Sequence, residues 1–111
     1  LETHLGIKNH ETTADGKVSI ERIECNAACD YAPVVMVNWE FYDNQTPQSV
    51  KDLVDSARAG NPTPPTRGPK TLRTWKQNSE VLAGLNDGLA NEGVAAGEAT
   101  LLGLRIAKGG K

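Results

Sequence analysis

The apolar material of this 111-residue chain is gathered toward one end. Four of the five aromatic residues, Tyr31, Trp39, Phe41 and Tyr42, fall between positions 31 and 42. Four of the six prolines lie between Pro62 and Pro69, and seven of the eleven glycines lie from Gly84 onward. A hydrophobic core therefore has to be built from the first half. A segment of about 60 residues buries only about 60% of its unfolded surface and is marginal alone. One small domain followed by an extended segment is what this distribution allows.

Charge divides the chain at the same place. Residues 1–60 carry 5 basic and 10 acidic side chains, net −5, whereas residues 61–111 carry 7 basic and 4 acidic, net +3. The two segments are therefore expected to meet different surroundings. The overall net charge of −2 gives no general drive toward nucleic acid. No apolar run approaches the roughly 18 residues that span a bilayer, so no membrane insertion is expected. No basic region followed by an apolar stretch opens the chain, so no signal peptide is expected. Leu1 stands where a methionine would start a protein, and Leu1 to Ile7 reads as the last turns of a helix stopped by Gly6. A processed or truncated product is the expectation.

Thr12 to Lys17 is turn-like around Asp15-Gly16. Val18 to Cys25 reads as a strand, with Ile23 out of phase and a bend near Arg22. Cys25 to Pro33 reads as a loop. Val34-Val35-Met36-Val37 is a continuous β-branched run suited to a strand covered on both faces. Asn38 to Glu40 would then turn the chain into a return strand, Phe41 to Asp43. Thr46 and Pro47 fit the N-cap and first position of a helix. Val50, Leu53, Val54 and Ala57 give that helix one apolar stripe, and Gly60 ends it. Asn61 to Lys70 is a proline-rich, semi-rigid linker. Beyond it the pattern is weak. Val81, Leu82, Leu85 and Leu89 suggest a short helical face diluted by Gly84 and Gly88, and Leu101, Leu102, Leu104 and Ile106 form a last apolar cluster. The expected division is a domain over 1–59, a linker over 60–70, and a Gly/Ala-rich tail over 71–111 that is partly disordered or docks on a partner.

Cys25 and Cys29 are the residues best suited to chemistry. Two cysteines are too few for a secreted disulfide scaffold, and their Cys-x3-Cys spacing suits shared local chemistry. Thiolates are soft ligands for zinc or iron–sulfur clusters. The small residues Asn26, Ala27 and Ala28 let the backbone curl, and their amides could donate to cluster sulfurs. Buried, inert cysteines are the alternative. Two thiolates alone do not complete a four-ligand site. His4 and His10 read as solvated surface residues. Asp43, Asp52 and Asp55 form no catalytic pair. Glu21, Glu24, Asp30 and Glu40 are expected to line solvent or a partner. Trp39, Phe41 and Tyr42 read as hairpin core rather than base-stacking residues. No nucleotide-binding glycine motif or Ser/His/Asp arrangement is present, so no catalytic residue is expected.

Three stretches carry a family resemblance: Thr12-Thr13-Ala14-Asp15-Gly16-Lys17-Val18, the run from Glu24 through Cys25, Cys29, Pro33 and Val37 to Asn38, and Thr46-Pro47 opening a helix. Together, over roughly Leu1 to Ala59, they resemble the E-type component of respiratory complex I, the thioredoxin-like [2Fe–2S] subunit of NADH-quinone oxidoreductases. The resemblance implies an α/β, thioredoxin-like [2Fe–2S] ferredoxin fold, N-terminally truncated and followed by an irregular C-terminal tail. It implies that Cys25 and Cys29 are the downstream pair of the four cysteines that hold a [2Fe–2S] cluster. The family's upstream Cys-x4-Cys has no counterpart here, so two of four ligands are expected from this chain.

The implied role is electron transfer, as a subunit of an NADH:quinone oxidoreductase with no complete active site of its own. The implied partners are the flavin- and NADH-binding component of the same complex and other peripheral-arm subunits. The implied location is cytoplasmic, in the peripheral arm on the cytoplasmic face of the inner membrane. Three alternatives stay open. One is the equivalent subunit of an NAD-linked hydrogenase or formate dehydrogenase, another a metal-free thioredoxin-like interaction module. The third is a thiol switch through a Cys25–Cys29 disulfide.

Overall fold

A short helix, α1 (Glu2–Leu5), starts the computed structural model, which describes residues 1–94 and 96–110. Gly6 closes α1 in the left-handed region at φ 68°, its N–H returning to the Glu2 carbonyl, as the sequence predicts. His4 Nε2 meets both carboxylate oxygens of Asp55, at 2.9 and 3.0 Å, and links α1 to a later helix. The sequence predicts a solvated histidine here; its partner lies 51 residues away, where no local spacing reveals it.

Residues 10–20 fold back on themselves around Asp15-Gly16. The Gly16 N–H donates to the Thr13 carbonyl, and the Thr13 and Val18 backbones pair across the turn. The expected strand Val18 to Cys25 shrinks to one bridge, Thr12 with Ser19. A strand is a pairing and needs a neighbour along its length. Beyond Ile20 no such neighbour lies alongside among the described residues, Ile23 is 49% exposed, and the backbone runs on without regular structure.

The described sheet is a two-stranded hairpin, β1 (Val35–Val37) and β2 (Glu40–Tyr42), antiparallel with Val37 opposite Glu40. The turn is Asn38-Trp39, both at positive φ (49° and 72°), as a two-residue hairpin loop of the primed type requires. The return strand thus starts one residue earlier than expected. β1 is half-buried rather than covered on both faces, because β2 is its only described partner.

Helix α2 (Pro47–Arg58) matches its prediction closely. Thr46 Oγ1 accepts from the Ser49 N–H, Ser49 Oγ accepts from the Thr46 N–H, and Pro47 occupies the first turn. Its stripe buries Leu53 and Val54. Tyr42, 2% exposed, is the largest fully buried side chain, and its hydroxyl donates to the Thr63 carbonyl at 2.7 Å. Burial, and secondarily the Glu40 charge, push the Tyr42 hydroxyl pKa far above its ordinary value.

The proline-rich segment is strapped onto the hairpin. The Thr66 N–H donates to the Phe41 carbonyl, and the Thr66 hydroxyl bonds Asp43. The segment after it carries α3 (Trp75–Leu82) and α4 (Glu98–Ala107). Thr74 and Gln77 cap α3 reciprocally. Arg73 is buried at 4% exposure and pairs with Asp87 and Glu40. Asn38 Nδ2 donates to the Arg73 carbonyl, and Asn78 Nδ2 donates to the Asn38 carbonyl. Trp39 stacks on Trp75 with centroids 5.1 Å apart. Trp39 is therefore 48% exposed on this stack and not the core residue that the sequence suggests. Glu40, expected to face solvent or a partner, is an internal counter-ion. The described residues measure 54 × 31 × 23 Å with a radius of gyration of 15.7 Å. A compact chain of this length has about 13 Å, so they form an elongated body with a thin core.

Candidate metal centre

The loop from Cys25 to Cys29 lies between the irregular end of the first segment and a 3-10 turn, Cys29–Tyr31. It does not follow a strand, because the strand expected before it is absent from the described residues. Both cysteines are exposed free thiols. Ala27 sits in the left-handed region at φ 53°, and its N–H donates to Cys25 Sγ at 3.1 Å. An N–H aimed at sulfur stabilises negative charge there and is one of the means by which a protein tunes a thiolate-bound metal. Ala28, 4% exposed, anchors the loop. Between the cysteines, Asn26 Oδ1 is buried with no hydrogen-bond partner among the described residues. Such an atom costs about 1–3 kcal/mol in a folded protein unless it finds a partner.

The turn beyond Cys29 is more firmly held. The Asn44 N–H donates to the Tyr31 carbonyl and the Gln45 N–H to the Pro33 carbonyl, each at 2.8 Å. Arg67 reaches this turn from the proline-rich segment. Its Nε and Nη2 donate to Asp43 at 2.9 and 2.8 Å, and its Nη2 lies 3.5 Å from Asp30 Oδ1. The Arg67 hydrogen bonds hold the Asp43 carboxyl below the usual carboxylate range. Neither Arg67 nor its pairing is visible in sequence, since 24 residues separate it from Asp43.

The donor chemistry fits iron. Two soft thiols with an amide N–H already on one sulfur suit a cluster edge. Among the described residues, no group of three or more His, Cys, Asp and Glu is placed to hold a metal ion. Cys25 and Cys29 thus offer at most half of a four-thiolate set, and His4, engaged with Asp55, adds nothing to it.

The class of protein this defines is a thioredoxin-like iron–sulfur domain: a profile of the thioredoxin-like [2Fe–2S] ferredoxins matches residues 1–58, and the chain belongs to that family. Helices with a small sheet agree with its mixed α/β fold. More particularly, the chain is 56% identical over 109 residues to the E-type subunit of NADH-quinone oxidoreductase from Mycobacterium tuberculosis (strain ATCC 25618 / H37Rv), a match covering 97% of this chain and 43% of that protein. It is 39% identical over 72 residues to the mitochondrial NADH dehydrogenase [ubiquinone] flavoprotein 2 of Dictyostelium discoideum, covering 65% of this chain and 28% of that protein. With the E-type subunit of NADH-quinone oxidoreductase from Rickettsia bellii (strain RML369-C) it shares 44% over 54 residues, 49% of this chain and 32% of that one. The chain therefore spans less than half the length of these relatives. The mycobacterial match runs through the segment beyond residue 58, which the family profile does not cover.

Proposed function

We propose that this chain is part of the electron-transfer subunit of an NADH:quinone oxidoreductase, with Cys25 and Cys29 as two of the four ligands of a [2Fe–2S] cluster. The observation that carries the reading is the pair of exposed thiols, one already accepting an amide N–H, on a segment matching a [2Fe–2S] family. Such a cluster, when bound, accepts and releases single electrons. The chain's own residues bind and orient. Cys25 and Cys29 supply sulfur, and the Ala27 N–H stabilises charge on Cys25 Sγ. Ala28 fixes the loop between them. The remaining two ligands come from elsewhere in the intact subunit. The electron source is the flavin of the NADH-oxidising component, beside which this subunit sits in the peripheral arm on the cytoplasmic face of the membrane. No described helix is long and apolar enough to cross a membrane. The exposure of both thiols suits a centre at a protein–protein boundary.

The test is Cys25→Ser and Cys29→Ser in the full-length subunit, read by iron content and by the visible and electron paramagnetic resonance spectra of the reconstituted protein. Loss or gross change of the cluster signal in each variant is expected. A normal spectrum in both would reject the ligand assignment.

A further inference from the structure

The turn that follows Cys29 is clamped by one cation from outside the family-matched domain. Arg67 lies nine residues past the profile match, its side chain 16% exposed. It is bidentate to Asp43 on the far end of the hairpin, and it lies 3.5 Å from Asp30, the residue after Cys29. Its guanidinium carbon lies 5.5 Å from the Tyr31 ring centroid and 5.4 Å from that of Phe41. One planar group therefore gathers a carboxylate pair and two aromatic rings around the turn that presents Cys29. The C-terminal segment closes over the same place. A Cβ on Gly97 would collide with the Tyr31 ring, so backbone there packs directly on it.

We propose that Arg67 is a positioning residue of the electron-transfer centre, fixing the Asp30–Tyr31 turn behind Cys29 and holding there a permanent positive charge that favours the reduced state. The inference rests on the reading of Cys29 as a ligand. Reduction adds one negative charge to the centre, and Arg67 meets two carboxylates, Asp43 and Asp30, the latter next to Cys29 in the chain. With Arg67 in place they share a cation. Without it their charge opposes the incoming electron. The Asp43 hydrogen bonds raise the Arg67 pKa above its ordinary value, so the cation persists throughout the working pH range. Lysine would keep the charge but lose the bidentate fork.

The experiment is an equilibrium redox titration of the cluster in the full-length subunit, followed by electron paramagnetic resonance, for wild type, Arg67→Gln, Arg67→Lys and Asp30→Asn. Arg67→Gln is expected to move the midpoint to more negative potential, Arg67→Lys to remain near wild type, and Asp30→Asn to move it to more positive potential. An unmoved midpoint in Arg67→Gln overturns the proposal. So does an Arg67→Lys shift as large as that of Arg67→Gln, because the retained positive charge would then have no influence on the midpoint. Should Arg67→Gln fail to retain a cluster, Asp30→Asn decides: a positive shift supports the electrostatic role and no shift overturns it. A cluster that survives loss of both Cys25 and Cys29 would refute the ligand reading itself, a separate failure.

Discussion

Replacing Arg73 with methionine isolates what docks the C-terminal segment on the hairpin. The Arg73 side chain is 3% exposed and uses three donors: Nε and Nη2 on the two oxygens of Asp87, and Nη1 on Glu40 Oε1 at 3.1 Å. Methionine keeps the aliphatic stem and removes the charge. Glu40, 13% exposed, is then left with Asn78 Nδ2 at 3.2 Å as its remaining donor. Breaking a buried ion pair from one side costs about 3–5 kcal/mol. Asp87 is 36% exposed and rehydrates when released. The Glu40 limb carries the penalty, and a loss of about 2–3 kcal/mol is expected. Urea unfolding of the full-length subunit, followed by tryptophan fluorescence, measures it, because Trp39 and Trp75 stack across this same junction. In an Arg73→Met/Glu40→Gln double variant the orphaned carboxylate is gone, and the combined loss should fall short of the sum by about 1–2 kcal/mol. Arg73→Met within about 0.5 kcal/mol of wild type, or strict additivity in the double variant, would refute the reasoning.

The same pairs set an acid limit. Hydrogen bonds from Arg73 hold the Asp87 pKa at about 2, and those from Arg67 lower that of Asp43. Both folded-state values lie below the unfolded value of about 3.9. The stabilisation is thus complete above that value and is lost as pH falls toward 2. The tryptophan signal should therefore change between about pH 4 and pH 2, and a flat signal across that interval would count against the pairing. In the core, Leu53→Ala should cost about 2–4 kcal/mol in thermal or denaturant unfolding, since Leu53 is 3% exposed on the buried stripe of α2. A loss below about 1 kcal/mol would show that this stripe is not the core.

Local chemistry was legible in the sequence wherever it was self-sufficient. The Thr46 cap, Pro47, the apolar stripe and Gly60 specify α2 with no help from distant residues. The Asp15-Gly16 turn and the Gly6 stop are equally local. A Thr-x-x-Gln box at Thr74 and Gln77 also announces the start of α3, a signal easily passed over in a segment otherwise diluted by glycine. The Val18 to Cys25 segment reads as a strand on β-propensity, yet propensity supplies no partner. Sheet formation depends on the neighbour it pairs with.

For this protein, the sequence alone determined the helix, the turns and the Cys-x3-Cys loop, because each depends on residues within a few positions of one another. Tertiary structure decided how the acidic first half and basic second half meet. Glu40 with Arg73 and Asp43 with Arg67 lie 33 and 24 residues apart. Ion pairs carry no periodicity; any acid suits any base until folding brings the two together and burial excludes the water that would otherwise separate them.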